Sequence, residues 1–193
     1  NDLRSKSKKL SNYQILGIPG GFAYGDDIIS GKILATEIVA YLSSELNKFV
    51  LRKNTAILGV CNGFQVLVRT GLVPFGNLGK MDSTLVANDS GHFECRWIKV
   101  KAEKSSRSKF LTGMEDEVLW YPVAHGEGKF FARPDVLSEI EKENLVAFRY
   151  IDESGNPTQK YPANPNGSIN AIVGISDETG RVLGLMPHPE CFV

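Results

Sequence analysis

Residues 55–60, Thr55-Ala56-Ile57-Leu58-Gly59-Val60, form a short apolar run that ends at a single cysteine. The segment just past that cysteine, Asn62 to Thr70, reads as a helix closed by Gly71. A buried strand that passes into a helix across one residue is half of a β-α-β unit, and such units build a sheet with helices on its faces. The backbone is crowded at so sharp a turn, so the residue there needs small neighbours, and Gly59 and Gly63 supply the room. Cys61 is thereby presented clear of the sheet edge. Unpaired N–H groups at the N-terminus of the following helix favour a thiolate over a thiol. For an isolated cysteine a packed, structural role is the better bet, and it is the flanking glycines that favour chemistry.

The rest of the first half repeats the alternation. Residues 13–18 are an apolar run stopped by Pro19-Gly20-Gly21, a strand ending in a tight turn. Over residues 33–49, Leu34, Ile38, Leu42, Leu46 and Phe49 recur at helical spacing, with Glu37, Ser44 and Lys48 opposite. This β, α, β, α order predicts an α/β fold with parallel strands flanked by helices. The middle differs: residues 83–87, 93–101 and 118–122 are alternating or β-branched runs, read as antiparallel strands. A short helix over 133–142, a strand over 145–151, a long loop over 152–168 and a terminal hairpin, 172–176 with 182–186, complete the chain.

The 193 residues, 42% of them hydrophobic, are enough for one substantial core, and a single domain is expected. Lysine plus arginine and aspartate plus glutamate both number 22, so no global field selects nucleic acid or an anionic membrane. The basic run Lys101, Lys104, Arg107, Lys109 lacks an aromatic platform and reads as a solvated loop. Three distant cysteines, Cys61, Cys95 and Cys191, suggest no disulfide framework and fit a reducing, cytoplasmic setting. No apolar run approaches a membrane span. His92 and Cys95, an H-x-x-C without a second pair, read as structural rather than metal ligands, and no metal is expected. No G-x-x-x-x-G-K-[ST] loop is present to hold ATP phosphates.

The hairpin runs into Pro187-His188-Pro189-Glu190. Two prolines hold this segment extended, so His188 and Glu190, two apart, face the same way. If His188 met Cys61, Glu190 would orient the imidazole, the division of labour of any nucleophile, base and orienter set. An attack on a carbonyl creates an oxyanion, which backbone N–H groups at the Pro19-Gly20-Gly21 turn and at Asn62 could stabilise. Taken by itself, H-x-E is better read as an exposed turn with an incidental histidine, and Pro19-Gly20-Gly21 also fits an ordinary Pro-Gly turn.

Together the blocks Gly59-Val60-Cys61-Asn62-Gly63-Phe64-Gln65, Gly20-Gly21-Phe22-Ala23-Tyr24-Gly25-Asp26, Ala124-His125-Gly126-Glu127-Gly128, Asn164-Pro165-Asn166-Gly167-Ser168 and Met186-Pro187-His188-Pro189-Glu190 carry a resemblance. The chain is similar to the class I (triad) glutamine amidotransferases across nearly its whole length. Cys-Asn-Gly-Phe-Gln, the Tyr-Gly-Asp loop and the Asn-Pro-Asn-Gly-Ser loop resemble the branch that serves purine biosynthesis. The resemblance implies a flavodoxin-like α/β fold with a mostly parallel central sheet and added antiparallel strands. It also implies hydrolysis of glutamine to glutamate and ammonia through a cysteine thioester, with ammonia passed to an ATP-dependent synthetase subunit. A further small subunit is expected in the complex, with ATP and magnesium on the synthetase and no cofactor on this chain.

Carried over by position, Cys61 is the nucleophile, His188 the acid/base and Glu190 its orienter. Gly21 and Asn62 form the oxyanion hole, Gln65 and Gly20 meet the substrate, and His125, Asn164, Asn166 and Ser168 border the site or a partner interface. Three departures stand out: no strand precedes residue 13 where the family has one, so N-terminal residues are expected to be missing from this sequence; Ala23 stands for serine; and Cys191 stands for arginine. Another triad amidotransferase or cysteine-elbow hydrolase, and a non-catalytic, partner-binding module on the same fold, are the alternatives. The Pro-His-Pro-Glu ending with Gln65 argues against the hydrolase, and retention of Cys61, His188 and Glu190 together against the module.

Overall fold

The computed structural model describes residues 3, 5, 7–21 and 31–191. The Tyr24-Gly25-Asp26 block, with Phe22 and Ala23, lies outside the described residues. The first strand, β1, is Ile15–Ile18, followed by helix α1, Lys32–Leu51, strand β2, Ala56–Val60, and helix α2, Asn62–Thr70. Next come β3 (Ser83–Val86), β4 (Glu94–Ala102), β5 (Val118–His125), β6 (Lys129–Ala132), α3 (Pro134–Lys142) and β7 (Val146–Tyr150). The terminal hairpin pairs β8, Ile172–Ser176, with β9, Val182–Leu185.

Seven strands form one sheet in the order β1-β2-β9-β8-β7-β4-β5, and β3 pairs with β6 in a separate two-stranded sheet. The α/β class and the flanking helices match the expectation. The proportion of parallel pairing does not: β1–β2 and β2–β9 are parallel, whereas β9–β8, β8–β7, β7–β4 and β4–β5 are antiparallel, so the sheet is mixed. Strand β6 is a further difference. Its four residues, Lys-Phe-Phe-Ala, follow Gly126-Glu127-Gly128 and are too short to show alternation, and although residues 83–87 read as a strand, its pairing with a segment 43–49 residues further on leaves no local signal.

Helix α1 buries Ala35, Leu46 and Phe49. Of the predicted stripe, Leu46 and Phe49 are buried and Leu34, Ile38 and Leu42 are half-buried, whereas Ala35 was not part of it. Its C-terminal carbonyls, which no helical N–H reaches, are tied to β9: the Arg181 guanidinium donates to the carbonyls of Val50 at 2.9 Å, Thr55 at 3.2 Å, and Arg52. Helix α2 is buried at every residue but Arg69 and ends at Gly71, whose φ of 78° is left-handed as a C-terminal glycine's should be. A β-carbon at Gly59 would stand 2.6 Å from the Gly63 carbonyl oxygen, and one at Gly63 would stand 1.9 Å from that of Ile18. The two glycines therefore let α2 press on β1 and β2.

Candidate active site

Cys61 is the residue before α2, with φ 52° and ψ −109°, a positive φ that a non-glycine residue rarely adopts. The strand-to-helix turn thus carries its strain at the one side chain it presents. The Cys61 N–H donates to the Leu185 carbonyl at 2.8 Å, extending the β2–β9 ladder by one residue. Because β2 and β9 are parallel neighbours, their C-terminal ends stop side by side, and the chain leaves β9 through Met186 and Pro187 to His188. This is where ligands sit in open α/β sheets, beyond the carboxyl ends of parallel strands.

His188 Nδ1 lies 2.8 Å from Glu190 Oε1, and its backbone N–H donates to the Pro122 carbonyl at 2.9 Å. The segment is not extended as expected: Pro189–Cys191 is a 3-10 turn in which the Cys191 N–H donates to the His188 carbonyl at 3.1 Å, and the imidazole and carboxylate meet across that turn. Nδ1 being occupied by the carboxylate, Nε2 is the atom left for chemistry; among the described residues it is buried with no hydrogen-bond partner. Gly20 lies between the imidazole and the thiol. A β-carbon there would meet His188 Cε1 at 2.8 Å and Cys61 Cβ at 3.2 Å, so only glycine allows imidazole and thiol to approach each other past this turn. The Asn62 amide donates to the Gly21 carbonyl at 2.6 Å, which pins the turn beside the start of α2. The backbone N–H groups of Asn62, Gly63 and Phe64 have no carbonyl within the helix to bond.

Gly21, Cys61, Asn62, Gln65, Phe93, Ala124, His125, Gly126, Glu127 and His188 enclose a cleft of about 500 Å³ that opens to solvent. Its far wall comes from β5, at the opposite end of the strand order. The sheet curls so that the Cys61 thiol reaches the Ala124 carbonyl at 3.8 Å. Gln65 is buried, and its Nε2 donates to the Glu127 carbonyl at 2.7 Å, joining α2 to this wall.

His125 borders the cleft as expected, at the end of β5, which runs three residues beyond the predicted 118–122. Its partner, Asn88, is a residue that no sequence motif singled out. Asn88 Nδ2 donates to the carbonyls of His92 at 2.9 Å and His125 at 2.8 Å, so Asn88 Oδ1 is an acceptor, shared by the Gly128 N–H at 3.0 Å and His125 Nδ1 at 3.1 Å. His125 Nδ1 therefore carries the proton. Burial lowers the His125 pKa to about 4, with opposing contributions from its backbone hydrogen bond and Glu94 and a further lowering by His188. The ring is neutral at neutral pH, with Nε2 a buried acceptor that has no partner among the described residues. A lone asparagine between a strand and a turn carries no sequence signal for such a role.

Asn164, Asn166 and Ser168 do not line the cleft; they are buried behind it. Asn166 donates to the Gly128 carbonyl at 2.8 Å and to Tyr150 Oη at 2.9 Å, and accepts from the Ser168 N–H at 3.0 Å. Ser168 Oγ in turn accepts from the Phe130 N–H at 2.9 Å. The long loop thus holds Gly128 and β6 in place, and through them the 124–128 wall. Tyr150 is fully buried, and that burial raises its pKa so that the phenol stays protonated.

For metal-ligating types, His188, Glu190 and Cys191 have ligand atoms within 4.8 Å of one another, although His188 Nδ1 is already bonded to Glu190. His92 and Cys95 join no such group among the described residues. No helix among the described residues is long and apolar enough to cross a membrane.

A strained cysteine at a strand-to-helix turn and a histidine–carboxylate pair share one acceptor-lined cleft, the arrangement that thiol attack on an acyl carbon requires. Residues 1–193 match the family described as the CobB/CobQ-like glutamine amidotransferase domain, and the chain belongs to that family. It is 43% identical over 193 residues to phosphoribosylformylglycinamidine synthase subunit PurQ of Dehalococcoides mccartyi, covering all of this chain and 73% of that one. It is 41% identical over 196 residues to phosphoribosylformylglycinamidine synthase of Drosophila melanogaster, covering 98% of this chain and 14% of that much longer one. Among solved structures, PurLQS from Thermotoga maritima superposes with a TM-score of 0.70 at 32% identity, over 95% of this chain and 72% of that one. The glutaminase domain of Trypanosoma brucei CTPS, with a TM-score of 0.54 at 16% identity over 98% and 67%, shares the fold.

Proposed function

We propose that this chain is the glutaminase subunit of phosphoribosylformylglycinamidine synthase, with residues 1–193 acting as one glutamine amidotransferase domain. The observation that carries the mechanism is the placement of Cys61 and His188 on either side of Gly20, with Glu190 on His188 Nδ1. The full-length similarity to PurQ chains, and to a PurLQS assembly, supports the pathway and the partners.

In this reading the Cys61 thiolate attacks the side-chain carbonyl carbon of glutamine, and the N–H groups of Gly21 and Asn62 hold the tetrahedral oxyanion. His188, protonated at Nε2 and oriented by Glu190, gives that proton to the departing amine, which leaves as ammonia. The γ-glutamyl thioester is then attacked by water, from which His188 Nε2 takes a proton, and glutamate is released with the thiolate restored. Ammonia passes to a PurL-like synthetase, which holds the ATP and magnesium, with a PurS-like small subunit in a cytoplasmic complex. This chain supplies no cofactor to the reaction.

The test is Cys61→Ala in the assembled complex. Glutamine-dependent synthesis is expected to fall by at least about a thousandfold, whereas synthesis from added ammonium salt stays at the unsubstituted level. Loss of both activities would contradict the division of labour.

A further inference from the structure

The chemistry proposed for His188 runs through Nε2, and its other ring nitrogen belongs to a second cluster. The 3-10 turn Pro189–Cys191, closed by the Cys191 N–H on the His188 carbonyl at 3.1 Å, gathers an imidazole, a carboxylate and a thiol. One ligand atom each of His188, Glu190 and Cys191 lies within 4.8 Å of the other two, and His188 Nδ1 is 2.8 Å from Glu190 Oε1. Among the described residues no other three His, Cys, Asp or Glu side chains come together in this way. Cys191 is a free, exposed thiol and the Glu190 side chain is 51% exposed, so both can adjust without disturbing the core. Imidazole, carboxylate and thiolate are zinc ligands, three of which leave a fourth position for water. At zinc–ligand distances of roughly 2.0–2.3 Å, a tetrahedral site sets its ligand atoms roughly 3.3–3.8 Å apart. The pair at 2.8 Å must open a little and the wider pairs close a little, which rotation of two exposed side chains supplies.

We propose that His188 Nδ1, the Glu190 carboxylate and the Cys191 thiolate bind a thiophilic divalent cation of the zinc type, and that the occupied site switches the glutaminase off. The switch rests on the glutaminase reading; the metal site does not. A neutral imidazole has one N–H, and while Glu190 accepts it at Nδ1 the lone pair is at Nε2, where a base must have it. A cation on Nδ1 reverses this. The ring's single proton moves to Nε2, the Cys191 thiol gives its proton to solvent, the carboxylate binds as it is, and no electron is transferred. His188 then has no lone pair with which to take a proton from Cys61 or from the water that attacks the thioester. Inhibition therefore needs no contact with glutamine. The site is inhibitory and supplies nothing to the reaction. Sulfur ligands select zinc over magnesium, so the magnesium assigned to the synthetase leaves the site alone.

The experiment adds Zn²⁺ to the chain assembled with its synthetase, in excess magnesium, and follows synthesis from glutamine and from ammonium salt. Glutamine-dependent synthesis is expected to fall about tenfold or more and to recover with a zinc-selective chelator, while ammonia-dependent synthesis stays within about twofold. Cys191→Ser should match the unsubstituted complex without zinc and need about tenfold more zinc for half-inhibition, a hydroxyl being a poor substitute for a thiolate. Co²⁺ gives a readout independent of activity: its thiolate charge-transfer band should appear in the unsubstituted chain and in Cys61→Ala, and be absent from Cys191→Ser. A band that survives in Cys191→Ser and is lost in Cys61→Ala would place the metal on the nucleophile and overturn the proposal. Equal zinc sensitivity of the unsubstituted and Cys191→Ser complexes, or no sensitivity in either, would overturn it too. A cobalt band that depends on Cys191 in a complex unable to use glutamine would overturn the glutaminase reading, and the switch with it, but not the metal site.

Discussion

Acidification should cost this protein stability through one imidazole. His125 is 3% exposed, and burial holds its pKa at about 4 against 6.5 for a solvated histidine. Because folding lowers its proton affinity, the unfolded chain binds more protons between these two values, and stability falls as pH falls through that window. The neutral ring's full contribution is present above pH 6.5. Linkage with these two pKa values gives little loss at pH 7 and a loss of about 2 kcal/mol at pH 5, approaching about 3 kcal/mol below pH 4. Urea unfolding at about pH 7 and about pH 5 measures the difference, and His125→Asn isolates it, since the amide does not titrate. The variant should be less stable at neutral pH, because it leaves a cavity, yet lose about 2 kcal/mol less than the unsubstituted protein between the two pH values. Other titrating groups contribute to both proteins and cancel in the comparison. Equal losses in the two would refute the assignment of His125 as a buried neutral imidazole.

Gly63→Ala should destabilise by about 3 kcal/mol or more, or prevent folding, because its β-carbon would stand 1.9 Å from the Ile18 carbonyl oxygen, a backbone atom that cannot turn away; a melt within a few degrees of the unsubstituted protein would contradict this. Asn166→Ala removes the partner of the Gly128 carbonyl, Tyr150 Oη and the Ser168 N–H, and should cost about 2–4 kcal/mol in denaturant unfolding although the residue lies outside the cleft.

How much of this was legible beforehand varies along the chain, for physical reasons. Helix α2 matches its predicted bounds because a glycine stops it and its apolar pattern is dense. The hairpin of β8 and β9 was announced by its turn, where Asp177 Oδ1 accepts from the N–H groups of Arg181 and Val182. Strand β6 was missed, since four residues pairing with a strand 43–49 positions away leave no local trace. The Asn164–Ser168 block was noticed because its residues are unusual, but their composition could not distinguish a cleft wall from the buried struts behind it. Asn88 gave no sign at all: its importance lies in where His125, Gly128 and His92 end up around it.

The sequence by itself determined that a cysteine stands between two glycines at a strand-to-helix turn and that a histidine and a carboxylate lie two residues apart. How the latter two meet was decided by a 3-10 turn over Pro189–Cys191 rather than by an extended segment. Only the tertiary structure decided that the cysteine and the histidine meet. The parallel pairing of β2 with β9 stops Cys61 and His188 at the same edge, and the curl of the sheet brings β5 from the far end to close the cleft. The tertiary structure also left Gln65 Oε1 and Glu127 Oε2 buried without a hydrogen-bond partner among the described residues, because which polar groups go unpaired depends on every neighbour that packing brings near.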